Sequence, residues 1–288
     1  MGAGSSPTLT PIVEADLPDV GAFLHDNLDR RLSSAQWSAA IAAPWPSPVD
    51  HHGFQLTHQG RLVGVNLAFY SRRRLGGREV TVCNLGGLAV LPEYRGHSFR
   101  LIRALLKQPD TTFTDLSPSG AVIETNLRLG FTHLDVTTFL CPTRPVPRVR
   151  GIDVIWDEGD ISHEISTANR GTFNDHRQVA AARQLLLVAG NDQCHVLFRP
   201  DRRKGRRLFA SVLYASDPEL FHAGLAAVST GILVRHRLPF MLIEPRVTGA
   251  APRFGWRVST PRPRMFRSDQ LGADDIDYLY SELVCVPW

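Results

Sequence analysis

The feature that most constrains the fold of this 288-residue chain is a segment that changes from a strand pattern to a helix pattern. The apolar run 85–91 ends at Pro92, a short turn carries Arg95 and Gly96, and residues 99–106 have helical spacing. A strand that turns through glycine into a helix directs unpaired backbone N–H groups, and the positive end of the helix dipole, toward one place. The segment therefore indicates either a phosphate or pyrophosphate site or an ordinary strand-to-helix connection.

Val90, Pro92, Arg95 and Gly96 stand at the matching positions of a known motif. The segment resembles the acyl-CoA-binding motif of the GNAT family of N-acyltransferases, which runs strand, Val-x-Pro-x-x-Arg-Gly-x-Gly-x-Gly/Ala, helix. Residues 126–131 (Asn-Leu-Arg-Leu-Gly-Phe) resemble the family's Tyr-x-Lys-x-Gly-Phe segment. The order of elements over residues 9–140 also looks like one GNAT domain, so the resemblance covers about the first half of the chain.

The resemblance implies acetyl-CoA, or another acyl-CoA, as co-substrate, without a metal. The positions that it assigns to the cofactor are Leu88, Val90, Arg95, Gly96, His97, Ser98, Phe99 and Arg100. Two of them depart from the family pattern, because Ser98 replaces a usual glycine and Arg100 replaces a glycine or alanine. The Ser98 hydroxyl is suited to capping the helix, whereas Arg100 either pairs with a phosphate or crowds the loop.

Catalytic candidates are less sharply defined. Asn126 stands where many family members carry a tyrosine thought to protonate the leaving thiolate; an asparagine donates a hydrogen bond but no proton. Asp115 ends a strand, where side chains face the ligand crevice of α/β sheets, although it could equally cap the next helix. Glu79, the conventional base on the strand before the turn, is either that base or a solvated hairpin carboxylate. Glu124 is a further rival.

Composition restricts the chemistry and the compartment. The four cysteines, at positions 83, 141, 194 and 285, form no Cys-x-x-Cys pair and have no zinc-like spacing with histidine, so reduced cytoplasmic thiols and no metal are expected. No cysteine has a neighbouring base, which favours direct attack by an amine over an acyl-enzyme. No apolar run is long enough to span a bilayer.

The second half is predicted to repeat the element order of the first. A proline-rich stretch, residues 141–148, marks the boundary between residues 1–141, an acyl-CoA-binding GNAT domain, and residues 149–288, a divergent GNAT-like domain without a phosphate loop. There Ser216-Asp217-Pro218 replaces Arg-Gly, and an acidic cap would repel a pyrophosphate. The predicted fold class is α/β: tandem GNAT-like domains, each a twisted mixed sheet flanked by helices.

Three local predictions accompany this plan: a strand over residues 132–140, a helix over 177–188 and a last helix over 274–283. The predicted function is acyl-CoA-dependent N-acyltransfer, with acetyl passing from acetyl-CoA to a small-molecule amine by direct attack. The alternatives are a non-catalytic CoA-binding or scaffold protein and an aminoacyl-tRNA-dependent transferase. Arginine-rich turns favour the latter, but no basic stripe interleaved with aromatics supports nucleic-acid binding. The oligomeric state stays undetermined.

Overall fold

A computed structural model describes residues 6–146 and 149–287. Pro147 and Arg148, the end of the predicted linker, lie outside the described residues. The chain divides into two compact units. Unit 1 holds the residues up to Leu134, Arg264–Ile276 and the residues from Tyr280 onward, and unit 2 holds Asp135–Pro263 and Asp277–Leu279.

The strands in chain order are β1 (Thr8–Pro11), β2 (Gly53–His58), β3 (Arg61–Leu75), β4 (Arg78–Val90), β5 (Thr111–Asp115), β6 (Thr132–His133), β7 (Phe139–Pro142), β8 (Asp153–Ile155), β9 (Arg183–Ala189), β10 (Asp192–Arg203), β11 (Arg206–Ala215), β12 (Phe240–Ile243), β13 (Trp256–Arg257) and β14 (Met265–Arg267). The helices are α1 (Leu17–Asn27), α2 (Ser34–Ile41), α3 (Ser98–Leu106), α4 (Gly120–Arg128), α5 (Glu158–Glu164), α6 (Thr167–Asp175), α7 (Pro218–His236), α8 (Pro245–Thr248) and α9 (Glu282–Cys285). Short 3-10 turns cover Glu14–Asp16, Pro92–His97 and Ala273–Asp275.

The two sheets have the same plan. Unit 1 has the strand order β1-β2-β3-β4-β5-β14-β6, and unit 2 has β8-β9-β10-β11-β12-β7-β13. In each sheet one described pair is parallel, β4 with β5 and β11 with β12, and the other described pairs are antiparallel. The prediction of an α/β protein with mixed sheets flanked by helices is confirmed.

Each sheet takes its sixth strand from the other half of the sequence. β14, from near the C-terminus, lies between β5 and β6, and β7, from the first half, lies between β12 and β13. The predicted strand over residues 132–140 is therefore two strands in different sheets. The division of the chain also differs from the predicted boundary at 141–149, because an apolar pattern indicates a strand but not its pairing partner.

Two further local predictions were wrong. Residues 177–188 do not form a helix, since their apolar part belongs to β9, whose Leu185, Leu186 and Leu187 are fully buried. A short apolar run of this kind does not distinguish a buried strand from a buried helix. The helix predicted over 274–283 is instead a 3-10 turn at Ala273–Asp275 and the short helix α9.

The core of unit 1 on the α3 side combines side chains from several strands and from α3: Ala68, Tyr70, Cys83, Leu85, Leu105, Phe113, Phe131 and Met265.

A local sequence signal fixes the start of α2. Ser33 Oγ accepts the Gln36 N–H (3.2 Å) and Gln36 Oε1 accepts the Ser33 N–H (2.9 Å), a capping box that begins α2. Among the described helices none is both long and apolar enough to cross a bilayer.

Candidate active site

The site forms where the two parallel strands of unit 1 separate. β4 and β5 pair from Thr81 with Thr111 to Asn84 with Thr114, and within the described residues the pairing stops there. β4 nevertheless continues to Val90. The gap beyond Asn84 is therefore bounded by β4 on one side and by the residues after β5 on the other, the place where α/β sheets bind ligands.

A β-bulge shapes the β4 side of this gap. Leu67 pairs with Gly87 and Ala68 pairs with Leu85, so Gly86 is an extra residue. Gly86 must be small, because a Cβ atom there would lie 2.3 Å from the Phe69 ring. Gly87 has a φ of +153°, which also favours glycine.

The bulge is followed by backbone donors that face the gap. Leu91 N donates to Val63 O (2.9 Å), which directs the Leu91 N–H toward β3. Because successive residues of a strand direct their N–H groups to opposite edges, those of Leu88 and Val90 point away from β3. Both residues are half-buried, and no described strand pairs with them on that edge. Two of the sequence-predicted cofactor residues thus offer N–H donors to the gap.

The predicted anion turn follows directly. Residues Pro92–His97 form a 3-10 turn that leads into α3, and no described side chain caps the start of α3. The Ser98 hydroxyl donates to Arg95 O (2.8 Å) instead of capping the helix. A Cβ atom at Gly96 would meet no atom within 4 Å, so the space beside this backbone is open.

The side chains of this turn have different surroundings. Arg95 and Phe99 are exposed, and His97 is half-buried. Arg100 donates to Pro7 O (2.8 Å) and Ser6 Oγ (3.3 Å), so its guanidinium holds the segment before β1. In this arrangement Arg100 serves the fold, and its pairing with a phosphate stays a prediction that requires these bonds to open.

The structure brings two predicted catalytic residues together. Asn126 on α4 donates through Nδ2 to Asp115 Oδ2 (2.8 Å), and both side chains are buried. Burial raises the pKa of Asp115 to about 6, although the bonds from Asn126 and the Ser117 backbone oppose the shift. Asn126 Oδ1 has no hydrogen-bond partner in the described part of the chain.

A second carboxyl group, from α9, lies in the same gap. Glu282 is fully buried; its backbone N–H donates to Asn84 Oδ1 (2.9 Å), and its Oε1 accepts from Ser117 Oγ (2.8 Å). Asn84 is itself held by Thr114 Oγ1 (3.1 Å). Burial, with the nearby charge of Asp115, raises the pKa of Glu282 to about 7.

The other two acidic candidates lie elsewhere. Glu79 is exposed at the hairpin end of β4, paired across the hairpin with Arg74. At about 3.3 Å per residue, it lies roughly 30 Å along the strand from Leu88. Glu124 is 81% exposed and lies 4.0 Å from Arg128 on the outside of α4. The structure does not bring either residue to the gap.

Comparisons with known proteins bear on this arrangement. No protein-family profile and no curated protein sequence matches the chain. Among solved structures, a GCN5-related N-acetyltransferase from Kribbella flavida matches with a TM-score of 0.61 and 17% identity, over 91% of this chain and 71% of that one. A putative acetyltransferase from Pyrococcus horikoshii matches with a TM-score of 0.57 and 14% identity, over 99% of this chain and 97% of that one.

The chain has a GNAT-like fold. A GCN5-related N-acetyltransferase from Anabaena variabilis ATCC 29413 supports the same assignment, with a TM-score of 0.60 and 12% identity over 91% of this chain and 72% of that one. Because these matches cover almost the whole chain, they take in both halves of the sequence. The resemblance found in residues 85–106 is thereby confirmed for the fold.

Within this GNAT-like fold, Glu282 is not among the residues that the sequence predicted to be catalytic. The signal was a single acid next to an apolar run: Glu282 is followed directly by Leu283-Val284-Cys285-Val286. An acidic side chain is rarely buried without a partner, so an acid next to such a run is a candidate site residue. The predicted helix over 274–283 placed it on a helix surface and hid that conflict.

Thiol and metal chemistry can also be placed on the fold. The four cysteines are free and buried. Burial raises the pKa of Cys83 to about 12 and of Cys141 and Cys194 to about 11, so these thiols are protonated near neutral pH. In the described part of the chain, no group of three His, Cys, Asp or Glu side chains is arranged to hold a metal ion.

Proposed function

We propose that this protein is an acyl-CoA-dependent N-acyltransferase that passes acetyl from acetyl-CoA to the amino group of a small molecule. The observation that carries the proposal is the gap between β4 and β5, which lies beside the uncapped start of α3 and receives the N–H groups of Leu88 and Val90. The GNAT-like fold supports the choice of chemistry, because the matched structures are described as acetyltransferases.

Two observations fit an acyl-CoA in this gap. The open space at Gly96 allows a phosphate to approach the backbone of the turn, and the helix dipole adds positive potential at the start of α3. Arg95 is exposed beside this turn and adds a charge suited to phosphate. Gly96, Arg95 and the first turn of α3 therefore hold the pyrophosphate in this proposal.

The reacting end lies deeper along β4. The N–H groups of Leu88 and Val90 hydrogen-bond the pantetheine arm or the thioester oxygen; a donor aimed at the latter stabilises the charge that develops there. Asp115 and Asn126 lie at the far wall of the gap. The Asn126 amide already donates to Asp115 Oδ2 (2.8 Å) and to Met265 Sδ (3.9 Å), so a hydrogen bond to the departing sulfur requires one of these bonds to open. Asn126 supplies no proton, and water or the ammonium product protonates the thiolate.

The acceptor amine attacks directly in this scheme. Protonated, buried thiols are poor nucleophiles, which argues against an acyl-cysteine. The four unpaired cysteines fit the reducing cytoplasm, where we place the protein.

A non-catalytic CoA-binding protein is the second candidate, favoured by the asparagine at position 126. No comparable structural observation favours the aminoacyl-tRNA-dependent alternative.

Thiol release separates the candidates. The protein is mixed with acetyl-CoA and a panel of small primary amines, and free thiol is followed with a chromogenic disulfide. Amine-dependent thiol release with a matching acetylated product supports the enzyme. Saturable acetyl-CoA binding without thiol release across the panel supports the binding protein instead.

A further inference from the structure

Glu282 is attached to both walls of the gap. Its backbone N–H is bonded to Asn84 on β4, and its carboxylate is bonded to Ser117, which follows β5. A residue whose backbone is anchored on one wall and whose side chain is anchored on the other must place its carboxylate between them. The Glu282 carboxylate therefore lies in the gap where the proposed function places the reaction.

The two carboxyl groups of the gap differ in the hydrogen bonds that their oxygens already accept. Asp115 accepts hydrogen bonds from the Asn126 amide and from the Ser117 backbone. Glu282 has one oxygen engaged by Ser117, whereas its Oε2 is buried and has no hydrogen-bond partner among the described residues. A buried acceptor without a partner is costly in a folded protein. A ligand that carries a proton to that oxygen offsets the cost.

Resting on the proposed function, we infer that Glu282 is the catalytic base that removes a proton from the acceptor ammonium, and that Asp115 is a positioning residue. The groups that face Glu282 fit this assignment: Asp115 from the end of β5, Cys285 from α9 itself, and the neutral Asn84 and Ser117. No cation is among these groups. Burial and the Asp115 charge therefore make Glu282 a better proton acceptor than a solvated glutamate.

The step balances simply. The Glu282 carboxylate takes one proton from R–NH3+, which leaves a neutral amine and a carboxylic acid. The nitrogen lone pair forms the C–N bond to the acyl carbon, the C–S bond breaks, and the thiolate leaves with its electron pair. The second nitrogen proton neutralises the thiolate through water, and Glu282 returns its proton to solvent. Ser117, half-exposed beside Oε1, provides the route.

The test uses full-length protein and compares Glu282→Gln with Asp115→Asn. Loss of a general base lowers rates by about 10²- to 10⁴-fold, so Glu282→Gln should lower kcat/KM by at least about 100-fold. The acetyl-CoA Kd should stay unchanged, because glutamine keeps the backbone bond to Asn84. Asp115→Asn should cost less and should shift the fall in kcat/KM to lower pH, because the Asp115 charge raises the pKa of Glu282.

The pH profile separates a base from a structural residue. Wild-type kcat/KM should fall below about pH 7, following Glu282. The Glu282→Gln variant should instead rise tenfold per pH unit toward the pKa of the acceptor, where the amine needs no base. Wild-type kcat/KM and profile in Glu282→Gln would overturn the inference and leave the proposed function standing. A wild-type protein with no turnover would overturn the proposed function itself.

Discussion

The parallel strand pairs of the two units follow one plan but differ in what occupies the gap. In unit 1 the pairing of β4 with β5 ends at Asn84 and a bulge follows at Gly86; in unit 2 the pairing of β11 with β12 ends at Ser211 and a bulge follows at Leu213. The offset is the same. In unit 1 the extra residue has no side chain, whereas Leu213 is buried. The backbone plan alone therefore does not make a site.

The helices that follow β4 and β11, which are α3 and α7, differ in how their first turns are capped. α3 begins without a side-chain cap among the described residues, beside an open glycine. α7 is capped by Asp217, whose carboxylate accepts the Leu220 N–H (2.9 Å). A carboxylate at that position satisfies a donor and repels an anion. Unit 2 thus has a carboxylate cap at the position where unit 1 has open space and no side-chain cap among the described residues.

The carboxylates after the second parallel strand complete the contrast. Asp115 lies beside Glu282, whose Oε2 has no hydrogen-bond partner among the described residues. Glu244, which follows β12, accepts from the Tyr278 hydroxyl, and Arg246 stacks on that ring at 4.5 Å. Buried polar groups with partners stabilise a fold, whereas a buried carboxylate oxygen without a partner is a candidate for chemistry. Of these two carboxylates, Glu244 therefore has a structural role and Glu282 is the candidate for chemistry.

The largest expected effect concerns the exchanged strand. Residues 1–141 alone lack β14, so β5 and β6 lose the strand between them, and Asn84 and Ser117 lose their bonds to α9. We expect this fragment to remain unfolded, as judged by near-UV circular dichroism and amide exchange.

Joining residues 264–288 to residues 1–134 through a flexible linker is the matched design, and it should restore a cooperative transition. A fragment 1–141 that folds cooperatively alone would show that the exchanged strand is dispensable and that the boundary read from the sequence suffices.

Substitutions at the two bulge residues have the next largest expected effect on stability. Leu213→Ala leaves a cavity in unit 2 and should lower the free energy of unfolding by about 2–5 kcal/mol. Gly86→Ala places a methyl group against the buried Phe69 ring and should cost about 1–3 kcal/mol. Urea denaturation measures both.

Gly171→Ala is the control for Gly86→Ala, because position 171 is helical and its Cβ meets no atom within 4 Å. That change should stabilise by about 0.5–1 kcal/mol. A harmless Gly86→Ala would contradict the role given to this bulge.

The difference between the units also shows how far the sequence alone leads. Arg95, Gly96 and Asp217 act through local backbone geometry, so their surroundings could be predicted from neighbouring residues. Asp115 was predicted to face the crevice because side chains at strand ends do so in α/β sheets; it ends β5 and is bonded to Asn126, and its catalytic role stays a prediction. The origin of β14 and the burial of Glu282 depend on contacts between residues about 150–200 positions apart. No local pattern carries that information.

A third prediction uses pH, with opposite signs in the two units. The pKa of Glu282 is raised to about 7 in the folded protein, so its contribution to stability is present below about pH 4.5 and is lost as pH rises through 7. The pKa of His195 in unit 2 is lowered by burial to about 3, so its contribution is present above pH 6.5 and is lost as pH falls toward 3. Each changes stability by about 1.4 kcal/mol per pH unit within its window.

Thermal unfolding of single variants checks these signs. Relative to wild type, Glu282→Gln should gain stability at pH 8 compared with pH 5, and His195→Phe should gain at pH 5 compared with pH 8. The buried His195 has a ring-nitrogen bond to Gln184 (2.7 Å), which His195→Phe also removes. Each variant is therefore compared with wild type as a difference between the two pH values rather than as an absolute stability. If the thermal stability of a variant and of the wild type varied with pH in the same way, the pKa shift assigned to that residue would be contradicted.

The smallest effect tests the anion site itself. Gly96→Leu adds a side chain whose Cβ atom meets no atom within 4 Å, so we expect the fold to be unaffected while a bound phosphate loses a close backbone contact. One such contact contributes about 1 kcal/mol or more, which corresponds to a roughly five- to tenfold weaker Kd for acetyl-CoA.

Calorimetry should give one acetyl-CoA site per chain for the wild type. Asp217→Asn, which keeps the cap of α7 and removes its charge, should leave both the affinity and the single site unchanged, because the buried Leu213 and the cap already close unit 2. Two equal sites, or a Gly96→Leu variant with wild-type affinity, would show that the two helix starts do not differ in the way that their sequences indicate.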